Sequence, residues 1–238
     1  ESYVSSQCSI DSMGRLILQA AYVNGKWVSC ETESVPFPTP PALPAYITIE
    51  FKEQIPNAPG SWPASWALGN LCNPFGRDSC PWPTPGAQEY DYAEFLDGNT
   101  NSVNEEIHTG SSQGNPTDNN GGQVALPKGG NASTAFHDYV VHLSVGQLQF
   151  FIDGVLVQTI NDSSITNNPP IFIFNEACGG PGASGSCTSS DPPGPFIVES
   201  IVVTDQNGNV FINGFTTAPT TTGAPVPIAP TGLTAVTD

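Results

Sequence analysis

The sequence predicts an all-β domain built of short strands and long connections. Glycine and proline number 24 each among 238 residues, and helix-forming residues are few. Apolar and polar residues alternate with the two-residue period of a half-buried strand, most clearly over Tyr46 to Lys52. Two dipeptides suited to tight hairpin turns, Asn24-Gly25 and Asp153-Gly154, each separate a pair of strand-like runs. A chain of 238 residues can bury one full-sized core, and β-sandwiches of this length are commonly single domains. We expect one domain over residues 1–215, a Thr/Pro-rich linker over 216–230, and at 231–238 the truncated first strand of a fibronectin type III-like module.

In chain order, Arg15 to Val23 reads as a strand that turns at Asn24-Gly25 into a second strand ending at Cys30. Val35 to Pro44 holds five prolines and is expected to be a surface loop. Over Tyr46 to Lys52, Ile47, Ile49 and Phe51 fall on a core face, while Tyr46, Thr48, Glu50 and Lys52 fall on a polar one. Trp62, Ala64, Trp66 and Leu68 share a face, and Pro63 suggests that their strand begins only after it. That tryptophan pair suits either a core or a sugar platform, because an indole face stacks on the apolar face of a pyranose. Leu71 to Gly86 is an irregular loop leading into Glu89 to Glu94, and Val103 to Gly110 returns as a neighbouring strand with Glu106 and His108 on one face. On a cleft His108 would bond sugar hydroxyls or an acid; elsewhere it is a surface histidine. Ser111 to Asn131, rich in Gly and Asn, reads as a long loop. Strands resume over Phe136 to Leu143, Leu148 to Ile152, Val155 to Ile160, Pro170 to Asn175 and Phe196 to Thr204.

A net charge of −17 with five cations argues against nucleic acid and anionic membranes as partners, and against sulfated polysaccharides; a neutral polymer fits better. The six cysteines fall as neighbours in sequence, Cys8 with Cys30, Cys72 with Cys80 and Cys178 with Cys187. Fifteen pairings are open to six cysteines, of which the nearest-neighbour one closes the shortest loops. No zinc spacing or C-x-x-C occurs, so disulfides formed outside the cytoplasm are expected, in a secreted, monomeric chain without cofactor or metal. No signal peptide and no run of about 18 apolar residues is present, which suits a mature or trimmed chain without a membrane span.

The stretch with chemical content is Glu89-Tyr90-Asp91-Tyr92-Ala93-Glu94. Glu89 and Asp91 share one face of an extended chain, and strict alternation would send Glu94 to the other. One inserted residue, a β-bulge, would bring all three acids to a single side. Carboxylates crowded in this way repel one another and raise at least one pKa, as a general acid at neutral pH requires. Retaining glycoside hydrolysis uses two carboxyls about 5–5.5 Å apart, one as nucleophile and the other as acid and then base. A solvated acidic edge strand is the alternative.

The ordered set Tyr46-x-x-x-Glu50-x-Lys52, Trp62-Pro63-Ala64-Ser65-Trp66, Glu89 to Glu94, Phe136-His137-x-Tyr139, Phe151-Ile152-Asp153-Gly154 and Asn175-x-Ala177-x-Gly179-Gly180 resembles glycoside hydrolase family 16, in its laminarinase-like, endo-β-1,3-glucanase branch. The likeness covers roughly Arg15 to Thr204. It implies a concanavalin A-like β-jelly-roll sandwich of two curved antiparallel sheets with a concave sugar-binding cleft. It also implies a neutral β-glucan as substrate, with Glu89 as nucleophile, Asp91 tuning it and Glu94 as acid/base. Glu50, Lys52, Trp62, Trp66, Glu106, His108 and Asn175 would line the cleft. The resemblance further allows a structural calcium, for which this sequence shows no ligand run. Lys52 departs from the family's frequent arginine, which puts the exact substrate in question more than the chemistry. A lectin-like glucan binder and a galactan (agar-type) hydrolase are the competing readings.

Overall fold

The structure is a computed structural model that describes residues 2–34, 44–72, 80–166, 170–179, 187–215 and 233–235. Two antiparallel sheets packed face to face form the body. The first has the order β11 (Asp118–Ala125), β10 (Ser102–Thr109), β9 (Glu89–Glu94), β8 (Ser61–Leu68), β15 (Ile171–Cys178), β6 (Glu31–Ser34) and β18 (Leu233–Ala235). The second runs β14 (Val155–Asn161), β13 (Gln147–Ile152), β12 (His137–Ser144), β7 (Tyr46–Gln54), β16 (Phe196–Asp205), β3 (Leu16–Leu18) and β2 (Cys8–Ile10), with β17 (Val210–Asn213) on β16. A small third sheet joins β1 (Ser2–Tyr3), β5 (Lys26–Ser29) and β4 (Ala21–Val23).

The core lies between the two large sheets. Ile47, Ile49 and Phe51 of β7 are all but completely buried, as their alternation requires. Phe51 stacks on Tyr139 of β12 and meets Phe174 of β15 edge-on at 6.2 Å, a contact that ties one sheet to the other. Tyr90 and Tyr92 enter the same core from β9, each large side chain contributing roughly 1.5–3 kcal/mol by burial. Both hairpins form at the turn dipeptides, where Asn24, Gly25, Asp153 and Gly154 all take positive φ. All three cysteine pairs are disulfides in the nearest-neighbour pattern.

Several elements differ from expectation. Residues 15–23 are not one strand: β3 and β4 join different sheets on either side of Gln19-Ala20. Pro63 lies inside β8; its carbonyl accepts the Phe95 N–H, so its missing donor faces the end of β9 and no bond to β15 is lost. The expected loop over 111–131 contains β11, an edge strand registered along the whole of β10. The polar run Glu31–Ser34, assigned to no element from sequence, is a strand with three of its four residues buried. Residues 35–43, most of the disulfide loop (73–79), and the linker and start of the expected module (216–232) lie outside the described residues. Leu233–Ala235, expected to open that module, pairs antiparallel with β6. Among the described residues no helix is long and apolar enough to cross a membrane.

Candidate active site

β9 carries the bulge. On β8, Trp66 faces Asp91 and Ser65 faces Ala93, so Tyr92 has no partner there. On β10, Glu106 faces Asp91 and Asn104 faces Glu94, two residues spanning three. Tyr92 and Ala93 both turn into the core, a doubling that strict alternation forbids, and Glu94 emerges beside Glu89 and Asp91. All three acids line one cavity of about 200 Å3 with Tyr3, Trp62, Trp66 and Asn175. A second lobe of about 320 Å3 shares Trp66 and Glu89 and adds Trp82 and Gln113.

Fixed donors surround the acids. The Trp62 indole N–H donates to Glu94 Oε1 at 2.7 Å, and Asn104 Nδ2 donates to Glu94 Oε2 at 2.9 Å and to Glu106 Oε2 at 2.9 Å. His108 Nε2 lies 3.0 Å from Asp91 Oδ2. Trp66 donates from its indole to Asn175 Oδ1 at 2.6 Å, and Asn175 Nδ2 donates to the Tyr3 hydroxyl at 3.3 Å. The aromatic rings are thus held by polar tethers at the cavity wall, with their orientation fixed before a ligand arrives.

Burial raises the pKa of every acid in the row. Glu89 is pushed to about 8 by burial and then by the Asp91 charge, against the pull of His108. Burial also raises Asp91, opposed by its hydrogen bond to His108. Glu94 is raised to about 6 by burial and Asp91, while Asn104 and Trp62, which bond its ionised form, hold it down. The row therefore keeps a proton near neutral pH, and its titration steps belong to the cluster. One carboxyl can give up a proton while another stays ionised, which is what general acid catalysis beside a nucleophile needs.

Of the residues expected at the cleft, Glu89, Asp91, Glu94, Trp62, Trp66, Glu106, His108 and Asn175 come together on the outer face of the first sheet. Glu50 and Lys52 do not. They project from β7 on the outer face of the opposite sheet, with the core between them and the acids, and Lys52 pairs with Glu199 at 2.7 Å. Alternation separates a polar face from a core face but does not say on which side of a two-layer sandwich the polar face lies. Asn104, Tyr3 and Trp82 were not anticipated. Asn104 shares the period-two face of Glu106 and His108, a signal that would have found it; Tyr3 comes from the small third sheet, and no pattern links it to the acids. Among the described residues Glu89, Asp91 and His108 form the group able to hold a metal ion, with ligand atoms within 4.8 Å of one another, and two of the three belong to the acid row.

A β-sandwich with a bulged row of carboxyls in an aromatic-walled cleft is the architecture of a glycoside hydrolase. The profile of glycosyl hydrolases family 16 matches residues 45–175, more than half of the chain. A β-glucanase of Rhodothermus marinus is 27% identical over 172 residues, covering 66% of this chain and 57% of that protein. A keratan-sulfate endo-1,4-β-galactosidase of Sphingobacterium multivorum is 26% identical over 164 residues, covering 66% of this chain and 36% of that protein. The chain thus spans little more than half of one relative and about a third of the other. The crystal structure of endo-1,3-β-glucanase from Streptomyces sioyaensis superposes with a TM-score of 0.67 at 30% identity, covering 84% of this chain and 78% of that one. The chain belongs to glycoside hydrolase family 16, and its sandwich is that family's jelly roll.

Proposed function

We propose that this chain is a secreted, monomeric, endo-acting hydrolase of a neutral β-glucan, with β-1,3 linkages of the laminarin type, working with retention of configuration. The observation that carries the reading is the bulge in β9, which brings Glu89 and Glu94 to one face on either side of Asp91. Glu89 attacks the anomeric carbon and forms a glycosyl-enzyme, while Glu94 protonates the leaving oxygen and later takes a proton from the attacking water. With Glu89 raised to about 8 and Glu94 to about 6, the free cluster favours its proton on Glu89, the reverse of what the step needs; attack starts from the form that carries the proton on Glu94 and leaves Glu89 ionised. Asp91, in contact with His108, is the charge that pushes the pKa of both neighbours upward. Trp62 and Trp66 supply apolar faces for pyranose rings, and Glu106, His108 and Asn175 supply hydrogen bonds to sugars. The choice of β-1,3-glucan rests on the names of the similar proteins, and secretion rests on the three disulfides.

The test is the release of new reducing ends from laminarin, lichenan and agarose by the protein and by Glu89→Gln. Laminarin should be cut best, and the variant should lose several orders of magnitude in rate while keeping the fold. Near-full activity of the variant would refute Glu89 as nucleophile. A galactan hydrolase is the second reading, favoured by the likeness to a galactosidase, and preferential cleavage of agarose would establish it. Tight glucan binding without product would instead mark a lectin-like module.

A further inference from the structure

We infer that Glu106 is a positioning residue: it holds the Asn104 amide with its N–H groups toward Glu94, so that Glu94 always meets a donor and never the amide oxygen. The inference rests on the reading of Glu94 as the acid/base. Asn104 stands directly opposite Glu94 in register and is 8% exposed. Its one nitrogen lies 2.9 Å from Glu94 Oε2 and 2.9 Å from Glu106 Oε2, so one hydrogen goes to each carboxyl. A primary amide turned by half a revolution has the same shape, and only its partners select between the two orientations.

Glu94 cannot make that selection alone. During catalysis it alternates between a protonated form, which would donate to an amide oxygen, and an ionised form, which accepts from an amide N–H. Without a second acceptor the amide could turn with each proton transfer. Glu106 is not one of the reacting acids, and its Oε2 accepts the second amide N–H at 2.9 Å. Trp62 bonds the other oxygen of Glu94 and, as an indole, can only donate. Glu94 is thus held between two donors of fixed sense. The titratable groups around it are Glu89 and Asp91 on its own strand, Glu106 and His108 from β10, and Tyr3 across the cavity; β8 and β15 present Trp62, Trp66 and Asn175, which do not titrate.

The experiment compares kcat/KM against pH on the preferred polysaccharide for the wild type, Glu106→Ala, Glu106→Gln, Asn104→Ala and the double alanine variant. Freed from Glu106, the amide can offer its oxygen to protonated Glu94, so the alkaline limb of Glu106→Ala should move up by about one pH unit. Glu106→Gln, whose amide oxygen accepts the same N–H, should stay at or slightly below the wild-type position. Asn104→Ala should move the limb up, and adding Glu106→Ala to it should give no further rise. Deleting a nearby negative charge has the opposite sign, so a downward move in Glu106→Ala overturns the inference, as does an unchanged limb or a further rise in the double variant. A wild-type protein that cleaves no polysaccharide would remove the underlying reading, and this inference with it.

Discussion

Replacing Glu53 by glutamine should make the protein's stability less sensitive to alkali. Glu53 is fully buried on the core face of β7, where one carboxyl oxygen accepts from the Ser65 hydroxyl and the other, Oε1, has no hydrogen-bond partner. Burial lifts its pKa from 4.5 to about 8, opposed by the Ser65 bond. Between those two values the native state keeps a proton that the unfolded chain has released, so stability falls as pH rises. The loss is about 1.4 kcal/mol per pH unit, roughly 5 kcal/mol across the window, and it persists above it. Glutamine keeps the shape and an acceptor for Ser65 but cannot ionise. Urea unfolding at intervals from acid to alkaline pH should therefore show Glu53→Gln close to wild type below the window and several kcal/mol more stable above it. Titrating groups that do not feel Glu53 contribute equally to both proteins and cancel in the difference; Tyr139, which the Glu53 charge helps to raise, titrates above the window. Two curves that stay parallel over the whole range would refute the argument.

Lys52→Met should leave activity within about twofold of wild type, because Lys52 and its half-exposed partner Glu199 sit on the sheet that does not carry the acids; a large loss in kcat/KM would return Lys52 to the cleft. Replacing Cys8 and Cys30 together by alanine opens a disulfide-closed stretch with a sequence separation of 22, and should cost about 3 kcal/mol in chemical unfolding. The same change loosens the small sheet that carries Tyr3 to the cavity, so KM should rise more than kcat falls; unchanged kinetics would show that Tyr3 does not contribute to substrate binding.

The acid row was legible because its spacing posed a geometric problem, two acids in phase and one out, to which a bulge is the economical answer. β7 was legible from its apolar alternation and β15 from its continuous apolar run. β6 and β11 were not: Glu31–Ser34 has no apolar residue, and Asp118–Ala125 is an edge strand rich in Gly and Asn, so neither carries the amphipathic signal on which strand recognition depends. Glu53 and Glu105 were overlooked for a different reason. Carrying the alternation of Ile47, Ile49 and Phe51 one step further puts Glu53 on the core face, but a carboxyl there conflicts with the expectation that charged residues are exposed. In both, burial resolves the conflict by favouring the protonated form.

Tyr3 and Asn175 touch across a separation of 172 residues. A nascent polypeptide already holds its three carboxyls once synthesis has passed Glu94, yet the floor they face is completed only when Asn175 arrives on β15 and the amino-terminal strand has docked. Bringing such distant segments together costs closure entropy, which the packed sheets must offset. A fragment ending short of Asn175 therefore has the reacting groups without the complete chamber around them.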